Sequence, residues 1–469
     1  MFKLIMRRKR RCRYAHVKRH KRKKENNVEE DKISKLPDDV LVFILSFMTM
    51  KEAARTSVLS RRWRKVWAFI PSLNFDAPNK LDQEVSLYAN PRGLKLVHAA
   101  RLRHINWINR VLESYQGSTI DKFRVQFDLD ENNKHDLDRW VNFASEKKVK
   151  ELVMDLNKVG GISQDHKYTF PLFCNSVRRL PDFSSLRTLL LKGVNVSGDG
   201  IDYLLSSCMY LGQLYVLGSM SLVDLKVDGQ SLSLKHLKIK YCRNLESIYI
   251  SATNLLSFKY SGRPQVSFGN VPNLVELRCG DKYGEYITWN FLQLRNIAFQ
   301  LETLTLNVYH VQETSVVYFP VLTHLKKLRL FVVSDDDERL LALASSLIEA
   351  SPSLHKFVLV VLSNHCLPYS RARGSVEKAP KCPHQCLKVV ELVGFVGRTM
   401  EIEMITYFIE NAVMLEEIIV DPVVKYMLLP FKRKPMIDLY AERLKAAGER
   451  AVQLKSEFPK LVLRNILYS

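Results

Sequence analysis

No stretch of the 469 residues keeps apolar side chains together for the ~18 positions a membrane helix requires, so no membrane span is expected. Cysteine is sparse. Eight residues, unevenly spaced, do not form a disulfide framework, and a reducing compartment is expected. The phosphate-loop sequence Gly-Lys-Ser/Thr is missing. Gly198-Asp199-Gly200 follows a strand pattern and precedes a helix pattern. Tyr203 stands where a dinucleotide loop needs its third glycine, so these residues read as a turn. Cys382-Pro383-His384-Gln385-Cys386, with His365-Cys366 upstream, lacks the closed set of paired ligands that structural zinc takes, and its cysteines read as plain thiols. The acidic run Ser334-Asp335-Asp336-Asp337-Glu338 reads as an exposed turn capping the next helix. No nucleophile–base–acid set can be argued from the chain. A protein without metal, cofactor or catalytic centre is expected.

Acidic residues are also missing from positions 1–24, which hold thirteen Lys and Arg; of the net charge of +22, this leaves +9 for the remaining 445 residues. Arg7-Arg8-Lys9-Arg10-Arg11 and Lys21-Arg22-Lys23-Lys24 are the densest clusters. Like-charge repulsion and the shortage of apolar residues predict a disordered arm over 1–32. Its pattern fits a two-part nuclear import signal, so a nuclear and also cytoplasmic location is expected, with a weak nucleic-acid arm as the alternative. A secretory leader is not expected, because Met1–Met6 is too short and lies on the wrong side of the charges.

The segment Ile33–Asp76 is organised as three short helices. Pro37 suits a helix start, Asp38 and Asp39 suit the dipole of its first turn, and Val40, Leu41, Ile44, Leu45 and Met48 recur at helical spacing. Thr49-Met50-Lys51-Glu52 is a capping box for a second helix. Ser60 caps a third, with Trp63 and Trp67 on one face. Phe43 and Phe47 exceed the apolar face of the first helix, a surplus that suits a groove on another protein.

Leu36-Pro37, Leu41 with Ile44-Leu45, Val58-Leu59-Ser60 and Arg61-Arg62-Trp63 together resemble an F-box, in the plant form SVLSRRWRKVW. The resemblance implies binding to a small SKP-type adaptor and, through it, to a cullin–RING ubiquitin ligase. It implies roles for Leu36, Pro37, Leu41, Ile44, Leu45, Leu59 and Trp63 as adaptor contacts or as the core behind them.

Residues 77–119 read as a connector followed by a capping helix over Leu94–Tyr115. An apolar-x-x-apolar-x-apolar seed then starts at Ile120, Val149, Leu186, Leu211, Leu222, Leu234, Leu245, Leu255, Leu274, Leu301, Leu325, Leu354, Leu387 and Leu415. Most steps are long enough for a strand, a turn and a return. The steps around Leu222 and Leu245 are too short, which puts those two seeds on the return, convex side. Helices are expected on the longer returns, near Leu137–Ala144 and Ile201–Leu205. The α/β result is a curved leucine-rich solenoid over 120–380 with about twelve parallel inner strands, each coil packing on its neighbours. Residues 381–469 contain LKVVELVGF and VGRTMEIEMITYFIENAVMLEEIIVDP, which resemble the FBD region of plant F-box/FBD/leucine-rich-repeat proteins, with a helix expected from about Met400 to Asn411.

Alternation sends the fourth and sixth seed residues into the core and the third, fifth and seventh to the concave side. From Leu234 to Leu354 those outward positions carry His236, Lys238, Lys240, Lys259, Arg278, Lys327, Arg329 and Lys356, with Glu276 as the one acid. A basic stripe is expected there, attracting an acidic or phosphorylated protein substrate. The chain thus reads as a non-catalytic substrate receptor. A nuclear nucleic-acid-associated scaffold, or a receptor holding a small hormone-like molecule in the solenoid, are the alternatives.

Overall fold

A computed structural model of the chain describes residues 33, 35–76, 91–156, 167–171, 181–230, 232–262, 266–280, 294–308, 319–333, 339–362, 383–423 and 434–465. The basic arm, most of the connector, Lys32 and Ser34, the acidic run at 334–338, and His365, Cys366 and Cys382 lie outside them.

The chain opens with α1 (Asp38–Ser46), α2 (Met50–Arg55) and α3 (Trp63–Val66). Pro37 sits one residue before α1, at its N-cap with extended backbone, rather than inside the first turn. The Thr49–Glu52 capping box forms as its spacing predicts: the Thr49 hydroxyl accepts from Glu52 N–H, and the Thr49 N–H donates to the Glu52 carboxylate at 3.0 Å. That pairing holds the exposed Glu52 carboxyl below its usual range. Ser60 Oγ accepts from Trp63 N–H at 3.3 Å. Leu41, Leu45, Ala53, Trp63, Val66 and Ile70 form a small core of their own, against which Leu36, Val42 and Trp67 pack.

Strand β1 (Ser72–Asp76) follows at once and pairs in parallel with β2 (Lys122–Gln126). Between them runs α4 (Pro91–Ser114), which begins at a proline as first turns allow. The chain then continues through α5 (Lys134–Glu146), β3 (Glu151–Asp155), β4 (Thr188–Lys192), α6 (Gly198–Ser207), β5 (Gln213–Leu217), β6 (Asp224–Asp228), β7 (His236–Lys240), β8 (Ser247–Ser251), β9 (Ser257–Ser261) and β10 (Val266–Phe268). It closes through β11 (Glu276–Gly280), β12 (Thr303–Val308), β13 (Lys327–Val333), α7 (Arg339–Glu349), β14 (Lys356–Leu362), β15 (Val389–Val393), α8 (Thr399–Asn411), β16 (Glu417–Asp421), α9 (Lys434–Glu457) and β17 (Leu461–Leu463).

All fourteen seeds become strands, each starting two residues after its first apolar position. Twelve of these, with β1 and β17, make one parallel sheet of fourteen strands among the described residues, and β6 and β8 pair apart from it with β10. The short steps around Leu222 and Leu245 therefore do mark the return side. The seed's first, fourth and sixth residues are buried, as in Leu234, Leu237 and Ile239. Each such side chain contributes ~1.5–3 kcal/mol by leaving water. Returning segments and helices are wider than the ~4.8 Å strand spacing, so the strand face lies on the inside of the curve. Asn244, Asn254 and Asn273 each donate from their amide to a main-chain carbonyl of the preceding coil, tying coil to coil. Gly198 starts α6 at close quarters: a Cβ there would lie 2.2 Å from the Asp224 carbonyl oxygen, so packing against β6 accounts for this glycine.

The sheet runs through both ends of the stretch read as solenoid. β1 belongs to it although its residues close the F-box segment, and β15, β16 and β17 extend it past residue 381. The turn into α8 is held by Glu401, whose Oε2 accepts the N–H groups of Val396, Gly397 and Arg398 at 3.0, 2.8 and 3.0 Å.

Helix α4 lies between the helical unit and the first coils and contacts both. Lys51 lies over the Trp107 ring of α4, and Phe75 of β1 meets Trp107 edge-on. Arg101 of α4 reaches Asp128 at 2.7 Å. His104 stacks on Phe127 with ring centroids 4.2 Å apart.

Candidate functional site

Two surfaces concentrate the residues that the sequence singles out. The first is the outer face of the helical unit. The seven candidate adaptor residues divide by burial. Leu41, Leu45 and Trp63 are interior and hold the three helices together, so they cannot touch a partner directly. Leu36 and Ile44 are half-buried, while Pro37 and Leu59 are exposed. The physical reason is helical geometry: Leu41 and Leu45 point four residues apart toward Trp63, and the opposite face of α1 is left over.

That leftover face is apolar. Phe43 and Phe47 on α1 are 63% and 76% exposed, Val40 and Met48 are exposed too, and in the turn after α2 Val58 and Leu59 are 87% and 64% exposed. Phe43 and Phe47 meet edge-to-face at 4.9 Å, so the ridge is ordered before anything binds. A second feature escaped the sequence reading. Arg62 donates to Asp38 Oδ1 at 2.7 Å and to the Leu36 carbonyl, clamping the Leu36-Pro37 segment onto the end of α3. The signal was present as a cation in Arg61-Arg62-Trp63, but its partner lies on the far side of two helices.

The second surface is the concave face of the sheet. The register places Lys238, Lys259 and Arg278 side by side on β7, β9 and β11, then Thr305 on β12 and Arg329 on β13. Lys327 and Lys356 pair on the row two residues earlier, and Lys240 stands two residues later. All seven predicted cations therefore sit on one face, in three rows rather than one stripe. The rows differ in their compensation. Lys259 pairs with Glu276 at 2.8 Å and Lys356 with Glu391 at 2.7 Å. Burial works to raise both carboxyl pKa values, but hydrogen bonds from Lys259 and Ser257, and from Lys356, outweigh it and hold them below the usual range. Lys238 is held below the usual lysine range, first by burial and then by Arg278, Lys259 and Lys192.

The row of Lys238, Lys259, Arg278 and Arg329 stops at β13, since Val358 follows it on β14. There Phe331, Val358 and Val360 form a buried apolar cluster on the concave side, with Leu362 and Val393 against it. Strands β13 and β14 accordingly read as near-continuous apolar runs, buried on both faces. The guanidinium carbons of Arg278 and Arg329 each stand 5.3 Å from the centre of the Phe331 ring. Nothing in the spacing of Phe331 announced that meeting. On the early coils, by contrast, cations are matched: Arg124 with Asp76, Lys122 with Glu151, Lys192 with Asp155.

A cavity of about 370 Å³ opens away from this face, between α4 and α5, where Glu113, His135, Asp138, Arg139, Asn142 and Glu146 give it a polar lining. His384 of the Cys382–Cys386 segment is buried with both ring nitrogens engaged: Nε2 with the Ser351 carbonyl at 2.8 Å, Nδ1 accepting from Leu387 N–H at 3.0 Å. Among the described residues no group of His, Cys, Asp and Glu gathers as a metal site, and no helix is long and apolar enough to cross a membrane.

Both parts of the chain match known families. The F-box domain family matches residues 33–72. The family described as the At1g61320/AtMIF1 LRR domain matches residues 111–447, most of the chain. An F-box/LRR-repeat protein of Arabidopsis thaliana, At2g42730, is 25% identical over 428 residues, covering 82% of this chain and 90% of its own. The Arabidopsis thaliana F-box/FBD/LRR-repeat protein At4g00160 is 28% identical over 415 residues, covering 82% and 84%. An FBD-associated F-box protein of the same plant, At5g60610, is 25% identical over 395 residues, covering 81% and 97%.

Proposed function

The chain belongs to the plant F-box/leucine-rich-repeat family, and from that premise we propose that it is the substrate-recognition subunit of an SCF-type cullin–RING ubiquitin ligase. The F-box docks the complex through an SKP-type adaptor, and the solenoid holds a protein substrate within reach of the ubiquitin-transfer machinery. Its contribution is proximity, with the bond-making left to partner enzymes. One observation carries the reading: a preordered, exposed Phe43–Phe47 ridge on a helical unit that already has a complete core behind it. An apolar ridge of this kind is a docking element.

Phe43→Ala with Phe47→Ala tests it more cleanly than changes at Leu36, which also packs against the F-box core. Each buried aromatic anchor contributes ~2 kcal/mol or more at an interface, so the pair should weaken adaptor binding by well over about 30-fold while the thermal unfolding of the solenoid is unchanged. Undiminished co-purification with the adaptor sinks the proposal. The substrate surface in this reading is the basic concave face, and the substrate segment is acidic or phosphorylated. Lys238→Glu, Lys240→Glu, Arg329→Glu should abolish substrate capture at low salt. The basic arm completes the reading as a nuclear import signal: residues 1–24 fused to a reporter should carry it into the nucleus, and a cytosolic reporter refutes this.

A further inference from the structure

Where the basic rows meet the apolar cluster, three strands build a niche. Its floor is Thr305 of β12, flanked in register by Arg278 of β11 on one side and Arg329 of β13 on the other. Two strand spacings put those arginine Cα atoms about 10 Å apart. Both side chains lean on Phe331, so the guanidinium carbons are no farther apart than twice their 5.3 Å distances to that ring. The Nε atoms of both arginines are shielded from solvent and have no hydrogen-bond partner among the described residues. Shielded donors without acceptors cost free energy in the empty protein, a cost removed when an acceptor arrives. Gly280 keeps the neighbouring position open: a Cβ there would crowd Ser261 Oγ at 3.0 Å and approach Asn307 Nδ2 at 3.5 Å.

We infer that this niche binds one phosphate monoester, carried on a phosphorylated side chain of the protein substrate. The inference rests on the concave face being the substrate surface, and it narrows an acidic-or-phosphorylated segment to a single phosphoryl group at a stated place. The charge supports a dianion. Lys238, Lys259, Arg278 and Arg329 share one row. Glu276 cancels one of the four through Lys259, and the Glu391 carboxylate is shared among Lys356, Arg464 and Arg329. Roughly two positive charges are left over, against the −1.5 to −2 of a phosphomonoester near neutrality. The geometry supports a tetrahedral group. A carboxylate is planar, and one guanidinium fork satisfies it. Here two guanidinium groups gather at one ring, from strands on either side of Thr305, and together they offer more donors than a planar carboxylate can use. Phe331, Val358 and Val360 keep water from one flank, and in such surroundings each charge pair is stronger than on an open surface.

The test uses the full chain in complex with its adaptor and five pools of degenerate peptides, alike except at one fixed central residue: phosphoserine, phosphothreonine, phosphotyrosine, glutamate or serine. Binding is read by fluorescence anisotropy. At least one phosphorylated pool should bind about ten-fold or more tightly than the glutamate pool, the difference expected of added charge-assisted hydrogen bonds. Arg278→Lys with Arg329→Lys keeps the charge but removes the forks, and it should reduce that preference to below about three-fold. Lys240→Gln and Lys327→Gln should leave the ratio unchanged while lowering all affinities. Thr305→Val supplies a second variant of the same shape, expected to lower the ratio as well. Equal binding of the glutamate and phosphorylated pools overturns the inference, as does a preference that survives both the arginine and threonine changes. Inorganic phosphate competing at the concentration of the peptides overturns it too, since the site would then be a general anion site. None of these outcomes touches the adaptor contact, so receptor function and niche can fail separately.

Discussion

His104 shows how far a single side chain departs from its behaviour in water. Burial, then the charge of Lys51, pushes its pKa from 6.5 down to about 4, against a backbone bond from Phe75 and the attraction of Asp76. The folded protein therefore holds His104 neutral at pH values where the unfolded chain protonates it. Stability from this residue is complete above 6.5 and is lost as pH falls toward 4. At pH 5 the loss is about 2 kcal/mol relative to pH 7. His104→Gln should flatten this part of a denaturation-midpoint profile between pH 7 and 5; an unchanged slope would show that the histidine is not responsible. Glycine gives the second residue-scale prediction. At Gly198 a Cβ meets backbone oxygen at 2.2 Å, whereas at Gly212 the nearest atoms are at 3.8 Å. Gly198→Ala should cost ~2 kcal/mol or more through forced backbone movement, and Gly212→Ala should stay within ~1 kcal/mol. Urea midpoints of the two variants separate the cases.

At the scale of elements, helices are fixed where a polar group closes their open ends. Glu401 does this for α8 by accepting three main-chain N–H groups with one oxygen. Gly394 and Gly397 supply the positive φ angles, 83° and 82°, that let the turn present those groups. Glu401→Ala would strand three donors, one buried and two partly buried, and should cost ~3 kcal/mol. Hydrogen exchange should report the loss as early opening of α8 and β16 with the N-terminal coils unaffected; uniform exchange across the sheet would argue against a local role. The segment before β15 is held in the same way by His384. Because both nitrogens of that ring are already committed, chelator treatment should leave thermal unfolding unchanged. A fall in the midpoint on adding chelator would show that metal does bind there.

For the molecule as a whole, stability is a chain of neighbour contacts, and its ends decide whether it stays soluble. The first coil is closed by β1 and α4, carrying Phe75 and Trp107, and the last by α9 and β17, where Ala447, Ala451, Leu454 and Leu461 are buried. Removing residues 424–469 uncovers the edge of β16 and the apolar residues beneath it. That truncation should aggregate, or unfold from its C-terminal coils at a lower temperature, because an unpaired strand edge templates association. A monodisperse truncated protein with the full-length melting profile would show that α9 and β17 do not act as a cap. The charge pattern also belongs to this scale. Among the described residues, ion pairs match cations with acids on the first coils, while the row of Lys238, Lys259, Arg278 and Arg329 sets four cations against Glu276, so the field is focused mid-solenoid.

By itself the sequence determined whatever depends on neighbours along the chain. Each apolar-x-x-apolar-x-apolar seed became a strand because alternation is local and needs only a core on one side. The Thr49–Glu52 box and the Phe43–Phe47 surplus were legible for the same reason, since helical spacing fixes which side chains share a face. Ile70-x-x-Leu73-x-Phe75 and Phe458-x-x-Leu461-x-Leu463 carry the same seed. They stood beside the F-box and at the C-terminal end, and only pairing with β2 and β16 made β1 and β17 part of the sheet. Strand β10 has no such spacing and exists because β8 offers an edge. The tertiary structure alone decided that Leu41, Leu45 and Trp63 are core rather than contact, that Arg62 clamps Leu36, and that Arg278 and Arg329 meet over Phe331. Those outcomes depend on which coil stacks on which, and contacts between coils are set by packing across the sheet, where residues far apart in sequence become neighbours.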